Sequence, residues 1–132
     1  MATQTEKITL NVTPIDLAAI DLLVEQGFYQ NRTDFFKHAI AGKLQEQQST
    51  IDELVTREVK QPHSYYTIGI QVISCKWLAD LQVKRDTATV VVYGLLTIDQ
   101  DVPLSMLQET VTSIKVYGVT HADKSIKAAY GL

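Results

Sequence analysis

Along the first third of the chain the spacing of apolar positions changes from two to between three and four. Residues 7–13, Lys-Ile-Thr-Leu-Asn-Val-Thr, alternate polar and apolar without a break. Ile8, Leu10 and Val12 fall on one face, and Lys7, Thr9, Asn11 and Thr13 on the other, which is the period of a strand. No second strand pattern appears before Tyr65, and one strand alone is unstable. The simplest partner is the same strand of a second copy, antiparallel across a two-fold axis. From Thr13 the pattern turns helical. Thr13 is placed as N-cap, Pro14 at the first helical position and Asp16 in the first turn. Leu17, Ile20, Leu23 and Val24 form the stripe, with Ala18, Ala19 and Leu22 beside it. Gly27 offers the positive φ of a helix end. After Phe28 and Tyr29, Asn31 and Thr33 are cap residues for a second helix, whose apolar face is Phe35, Phe36, Ala39, Ile40 and Leu44.

Beyond Leu44 the helical period continues through Ile51, Leu54, Val55 and Val59, in a segment made acidic by Glu46, Asp52, Glu53 and Glu58. The expectation is either one long helix or a break near Gln48-Ser49-Thr50, with Ser49 or Thr50 capping a third. Gln61-Pro62-His63-Ser64 reads as a boundary. Three β-rich runs follow, at 65–73, 87–98 and 112–119, and Gln82–Lys84 fits a further short strand. Asp101 is placed as the cap of a short helix between the last two runs. Val-Val-Val-Tyr-Gly-Leu at 90–95 and Ile-Lys-Val-Tyr-Gly-Val at 114–119 echo each other with an offset of 24 residues. Residues 68–72 fit a degenerate earlier copy and 129–132 a truncated last one. A period in the twenties belongs to strand-plus-helix solenoids. A short solenoid-like module, completed by parallel strands stacking between subunits, is preferred over a compact ligand-binding sandwich.

Composition narrows the class. A chain of 132 residues with 45% hydrophobic and 20% charged residues is an ordinary globular protein. No apolar run has the length of a membrane helix, and the first residues lack a secretory pattern. Cys75 is alone, which excludes an intramolecular disulfide framework and fits a reducing cytoplasm. The net charge is −3. Residues 1–44 hold four basic side chains (Lys7, Arg32, Lys37, Lys43) and five acidic ones (Glu6, Asp16, Asp21, Glu25, Asp34). Any cationic surface for nucleic acid must therefore come from placement, not from total charge.

The ribbon residues 7–13 and the turn Gly27-Phe-Tyr-Gln-Asn-Arg-Thr-Asp-Phe-Phe resemble the ribbon-helix-helix DNA-binding family, the Arc, MetJ and CopG class. The resemblance covers residues 6–47. It implies an intertwined dimer whose two-stranded ribbon enters the major groove. Lys7, Thr9 and Asn11 would then contact base edges, and Asn31, Arg32 and Thr33 would hold a phosphate. Those residue types suit the roles: Lys donates to guanine, Asn pairs bidentately with adenine, and Thr meets a thymine methyl or a hydrogen-bonding edge. A helix N-terminus favours an anion. The implied dimer core is Ile8, Leu10, Val12, Leu17, Ile20, Phe35, Phe36 and Ile40. Many members place an Arg in the ribbon, whereas Lys7 is its cation here.

Other chemistry finds little support. His38, His63, His121 and Cys75 lack the spacing of metal ligands, so no metal and no cofactor is expected. No nucleophile elbow, phosphate loop or zinc-protease helix is present, and an enzyme is not expected. Asp99 and Asp101 read as a strand-to-helix turn, Trp77 with Leu78 and Leu81 as core or interface, and Tyr93, Tyr117 and Tyr130 as packing residues. The fold expectation is α+β: a ribbon-helix-helix domain at 1–47, a helical connector at 48–61, and a β-rich module at 62–132 for oligomerisation or sensing. The functional expectation is a cytoplasmic, sequence-specific repressor binding double-stranded DNA as a homodimer or higher oligomer. The alternative is a self-assembling scaffold that uses the fold only to dimerise. An antitoxin, with the segment beyond Leu44 wrapping a toxin, is a less favoured variant because such tails are usually disordered before binding.

Overall fold

Thr13 starts the first helix as the sequence predicts, its hydroxyl accepting from the Asp16 N–H at 3.3 Å. The structure is a computed structural model that describes residues 5–62 and 65–132. Helix α1 (Pro14–Glu25) ends in a Schellman motif. The Phe28 N–H donates to the Leu23 carbonyl and the Gly27 N–H to the Val24 carbonyl, with Gly27 at φ 86°. A side chain at Gly27 would be strained by that φ alone. Helix α2 (Arg32–Glu46) follows, and helix α3 (Gln48–Val59) begins after a single break at Gln47. The break thus falls just before the expected Gln48-Ser49-Thr50, and neither Ser49 nor Thr50 caps α3. Instead Gln47 closes α2 while its carbonyl already accepts from the Ile51 N–H at 2.9 Å. His63 and Ser64 of the expected boundary lie outside the described residues.

The chain divides into two compact units between Leu54 and Val55. In the first, Ile20 is the one buried hydrophobic residue among those described, and α2 buries none. Ile8, Leu10, Ile15, Phe28, Ile40 and Leu44 are all exposed in the single chain. Residues 5–13 form no ladder within the chain. This half has its apolar pattern but little interior of its own.

The second unit has an interior. Strands β1 (Tyr65–Ile73), β2 (Ala88–Ile98) and β3 (Val111–His121) alternate with helices α4 (Cys75–Val83), α5 (Leu104–Thr110) and α6 (Lys124–Tyr130). The sheet order is β1-β2-β3 and every pair is parallel. Residues Ile73, Val90, Val92, Leu96, Ile98 and Ile114 on the strands join Leu78, Leu107 and Ile126 from the three helices in one cluster. All three helices therefore lie on one face of the sheet. Thr110, fully buried, donates its hydroxyl to the Met106 carbonyl at 2.8 Å.

The repeat is physical. Gly69 pairs with Gly94 and Gly94 with Gly118. Their φ values are 117°, 140° and 123°, a region open to glycine. A Cβ on Gly94 would lie 2.2 Å from the Gly69 carbonyl oxygen, and one on Gly118 2.0 Å from that of Gly94. Residues 68–72 are thus a true earlier copy. Three other expectations are corrected. Gln82–Lys84 is the end of α4, because Ser74 caps a helix whose Leu78 and Leu81 both face the core. The helix before β3 starts at Leu104 with Pro103 in the cap position, so Asp101 caps nothing there; its carbonyl accepts from the Cys75 thiol at 3.3 Å. Residues 129–132 are no fourth strand: Gly131, at φ 69°, closes helix α6. The module is accordingly a parallel strand-and-helix stack within one chain, with more helix than a β-rich reading allows.

Candidate nucleic-acid interface

The start of α2 is a tightly specified corner. Asn31, extended at φ −162°, accepts from the Asp34 N–H at 2.7 Å. Asp34 reaches back and accepts from the Gln30 N–H at 3.0 Å, so two donors at the helix start are satisfied reciprocally. His38, one turn on, brings Nδ1 to 2.8 Å from the Asp34 carbonyl and 3.2 Å from its carboxylate. Tyr29 packs edge-on against Phe35 at 5.1 Å and against His38 at 5.5 Å between ring centres. The corner is held by caps and rings together. The N–H groups of Arg32 and Thr33 are those a helix start leaves for water or an anion.

Arg32 is engaged. Its Nε and Nη2 donate to the two carboxylate oxygens of Asp21 at 2.7 and 2.8 Å, a bidentate pair tying α2 to α1. The Arg32 guanidinium holds the Asp21 carboxyl below the usual carboxylate range, and the pair raises Arg32 further. Both side chains are about half exposed, so the pair orients the guanidinium more than it stabilises the fold. It also places a negative charge beside the anion seat. Asp21 was not legible as part of this corner, because the two residues lie on different helices. Asp34 was legible, since an acidic residue three after an Asn cap is the sequence mark of a capping box.

Lys7, Thr9 and Asn11 are exposed, on alternate positions from Ile8 and Leu10, which are exposed as well, and from half-buried Val12. In the single chain nothing covers Ile8 or Leu10, which stand 84% and 70% exposed. Of the other expected core residues, Ile20 is buried, Leu17, Phe35 and Phe36 are half-buried, and Ile40 is exposed. All of these positions except Ile20 leave apolar surface open on the single chain.

Residues 3–127 match the Ribbon-Helix-Helix transcriptional regulator family. The chain belongs to that family. Family membership makes it a transcriptional regulator and implies DNA and a second copy as its partners. The match runs well past the ribbon and its two helices, so the parallel module of the second unit belongs to the family pattern too. No curated protein and no solved structure matches the chain.

Outside the corner, ionisable groups do structural work. The Cys75 thiol is pushed up by burial and by nearby Asp101 and Asp99, which keeps it protonated and a poor nucleophile. Tyr130 is raised by burial and donates to the Val111 carbonyl at 2.8 Å. Among the described residues no group of three or more His, Cys, Asp or Glu could hold a metal ion. Among them, too, no helix is long and apolar enough to cross a membrane.

Proposed function

We propose that this regulator is a repressor that reads the major groove with an antiparallel ribbon formed by residues 7–13 of two copies. The observation that carries the reading is the alternation at its N-terminus: Ile8 and Leu10 stand exposed in one chain, and Lys7, Thr9 and Asn11 occupy the alternate positions of the sequence. Pairing two such strands gives the apolar side chains a place to go and leaves a polar row outward. Lys7, Thr9 and Asn11 then choose the sequence. Phosphates sit at the start of α2, on the N–H groups of Arg32 and Thr33 and the outer edge of the Arg32 guanidinium, with Asn31 shaping the turn. Asp21 partly neutralises Arg32, which fits a moderate affinity per site and the low total of cations.

The test is a gel shift on the DNA upstream of its own coding sequence. Asn11→Ala is expected to relax sequence choice at a cost of about 1–3 kcal/mol on the preferred site. Arg32→Ala weakens all sequences alike and reduces the salt slope by about one. Asp21→Asn, which releases the guanidinium, strengthens binding. Unchanged affinity in both alanine variants would remove the DNA roles assigned to these residues. The acidic balance of residues 1–44 favours a second reading, a self-assembling scaffold that uses the fold only to dimerise. A filament or large ring in electron micrographs, with no DNA retained at low salt, would establish it instead.

A further inference from the structure

Helices cover one face of the second unit's sheet; on the opposite face Val91, between Tyr66 and Lys115, is buried, while the part nearer the strands' C-terminal ends lies open. Helices α4, α5 and α6 occupy the side of Val90, Val92, Leu96 and Ile98. On the other side Ile68 and Ile70 are each 64% exposed, Val72 47%, Tyr93 38% and Tyr117 43%. Parallel sheets are ordinarily buried on both faces. At those exposures the five side chains leave about 500–600 Å² of surface, the size of a patch that is often functional. The charges around the face sit at its margins. Lys115 and His121 lie on β3, with the Lys115 ammonium 5.2 Å from the Tyr117 ring centre. Glu58 raises the titration of Tyr66 at the other end, second to desolvation there. Along Ile68, Ile70 and Val72 the face is apolar, and no Asp, Glu, Lys or Arg lies between them and Tyr93 on the paired strand.

We infer that this open face is a docking surface for the same face of a second copy of the chain. Two faces of about 500–600 Å² each bury about 1,000–1,200 Å² in total, which reaches the lower bound for a specific protein interface. A two-fold pairing needs a self-complementary surface, and an apolar stretch without charge meets its own image without like charges opposed. A copy is also at hand. The family fold joins two chains, so two such faces are tethered in every particle at an effective concentration of order millimolar. A small ligand would need a concavity, and a groove among the described residues runs along the outer edge of β3 past Lys127 and Leu132. The inference rests on dimerisation through the family fold and not on DNA reading.

The face makes its own geometric prediction. For two sheets packed face to face, a two-fold axis along or across the strands places β2 over its own copy. Tyr93, midway along β2, then lies beside the axis. Full-length Tyr93→Cys in a Cys75→Ser background is expected to form an inter-chain disulfide under mild oxidation at least about tenfold faster than Lys124→Cys, a control on the helical side. Ile68→Lys with Ile70→Lys, introduced at exposed positions, is expected to leave Trp77 fluorescence unchanged and to abolish the rate advantage. Crosslinking independent of protein concentration places the contact within the dimer, and dependence on concentration places it between dimers; both support the inference. Equal rates for the two cysteines, or fast crosslinking that the double lysine variant leaves intact, would overturn it. Protection of the face from hydrogen exchange without crosslinking would assign it to a different occupant and overturn it equally. None of these measurements involves DNA, so failure here leaves the ribbon reading standing.

Discussion

Gly94→Ala tests whether the second unit is built on close backbone stacking. The new Cβ would start 2.2 Å from the Gly69 carbonyl oxygen, at φ 140°. Occupying that glycine-only backbone region costs about 1–3 kcal/mol. Relieving the clash requires β1 and β2 to separate locally, at about 1 kcal/mol for each ladder hydrogen bond weakened. Together these give a loss of about 3–5 kcal/mol, a large part of the roughly 5–15 kcal/mol that stabilises a domain. Gly69→Ala is the matched control. It has φ 117° but open space where the Cβ would go, so it bears the conformational cost of about 1–3 kcal/mol alone. Urea unfolding followed by the fluorescence of Trp77, the single tryptophan and a resident of α4, reads this unit selectively. Protein concentration must be held fixed, since association shifts apparent stability. Equal losses in the two variants would show that stacking contributes nothing and would refute the reasoning.

Three further outcomes follow from the same structure. Asn31→Ala removes the cap bonded to Asp34 and should cost about 1 kcal/mol, read as a lowered midpoint in circular dichroism of the helices. Asp21, its carboxyl held down by Arg32, contributes stability that is present above the ordinary carboxylate range and lost as pH falls through its lowered folded value; carboxyl NMR should show it titrating low in wild type and returning to the usual range in Arg32→Ala. Cys75, raised by burial and by Asp101, should alkylate more slowly at pH 8 than a free cysteine, and rate parity in an iodoacetamide assay would contradict the assigned environment.

What the sequence disclosed depended on how local the cause was. Thr13 and Pro14 set the start of α1, and Asn31 that of α2, by cap chemistry contained in four or five residues. The Tyr-Gly echo at 93–94 and 117–118 disclosed the strand stack because in-register parallel strands must repeat the residue that permits close approach. The same Tyr-Gly pair at 130–131 misled, since glycine closes a helix as readily as it kinks a strand, and only φ separates the two uses. Gln82–Lys84 and Asp101 misled for a related reason. Three residues fit several elements, and the choice was made by Leu78 and Leu81 reaching a core assembled from distant strands. The Asp21–Arg32 pair lay beyond sequence reasoning altogether, although it decides how much positive charge the corner offers.

The contrast between the two units bears on how the regulator works. The second unit owns a continuous core, whereas the first buries Ile20 and leaves Ile8, Leu10, Ile15, Phe28 and Ile40 in solvent. Covering Ile8, Leu10 and Ile40, the three of these that belong to the implied dimer core, would contribute roughly 5–9 kcal/mol at about 1.5–3 kcal/mol each, comparable with the whole stability of a small domain. On the proposed dimer, folding of the first unit and pairing with a copy would be one event, with the ribbon formed only in the paired state. It follows that the concentration of DNA-competent protein would be set by a chain–chain equilibrium, and that any ligand of the paired state would stabilise the first unit by mass action. A second self-association surface, such as the open sheet face, would raise the effective concentration of the first-unit halves. That coupling would give the strand-and-helix module a role in regulation without requiring it to touch DNA.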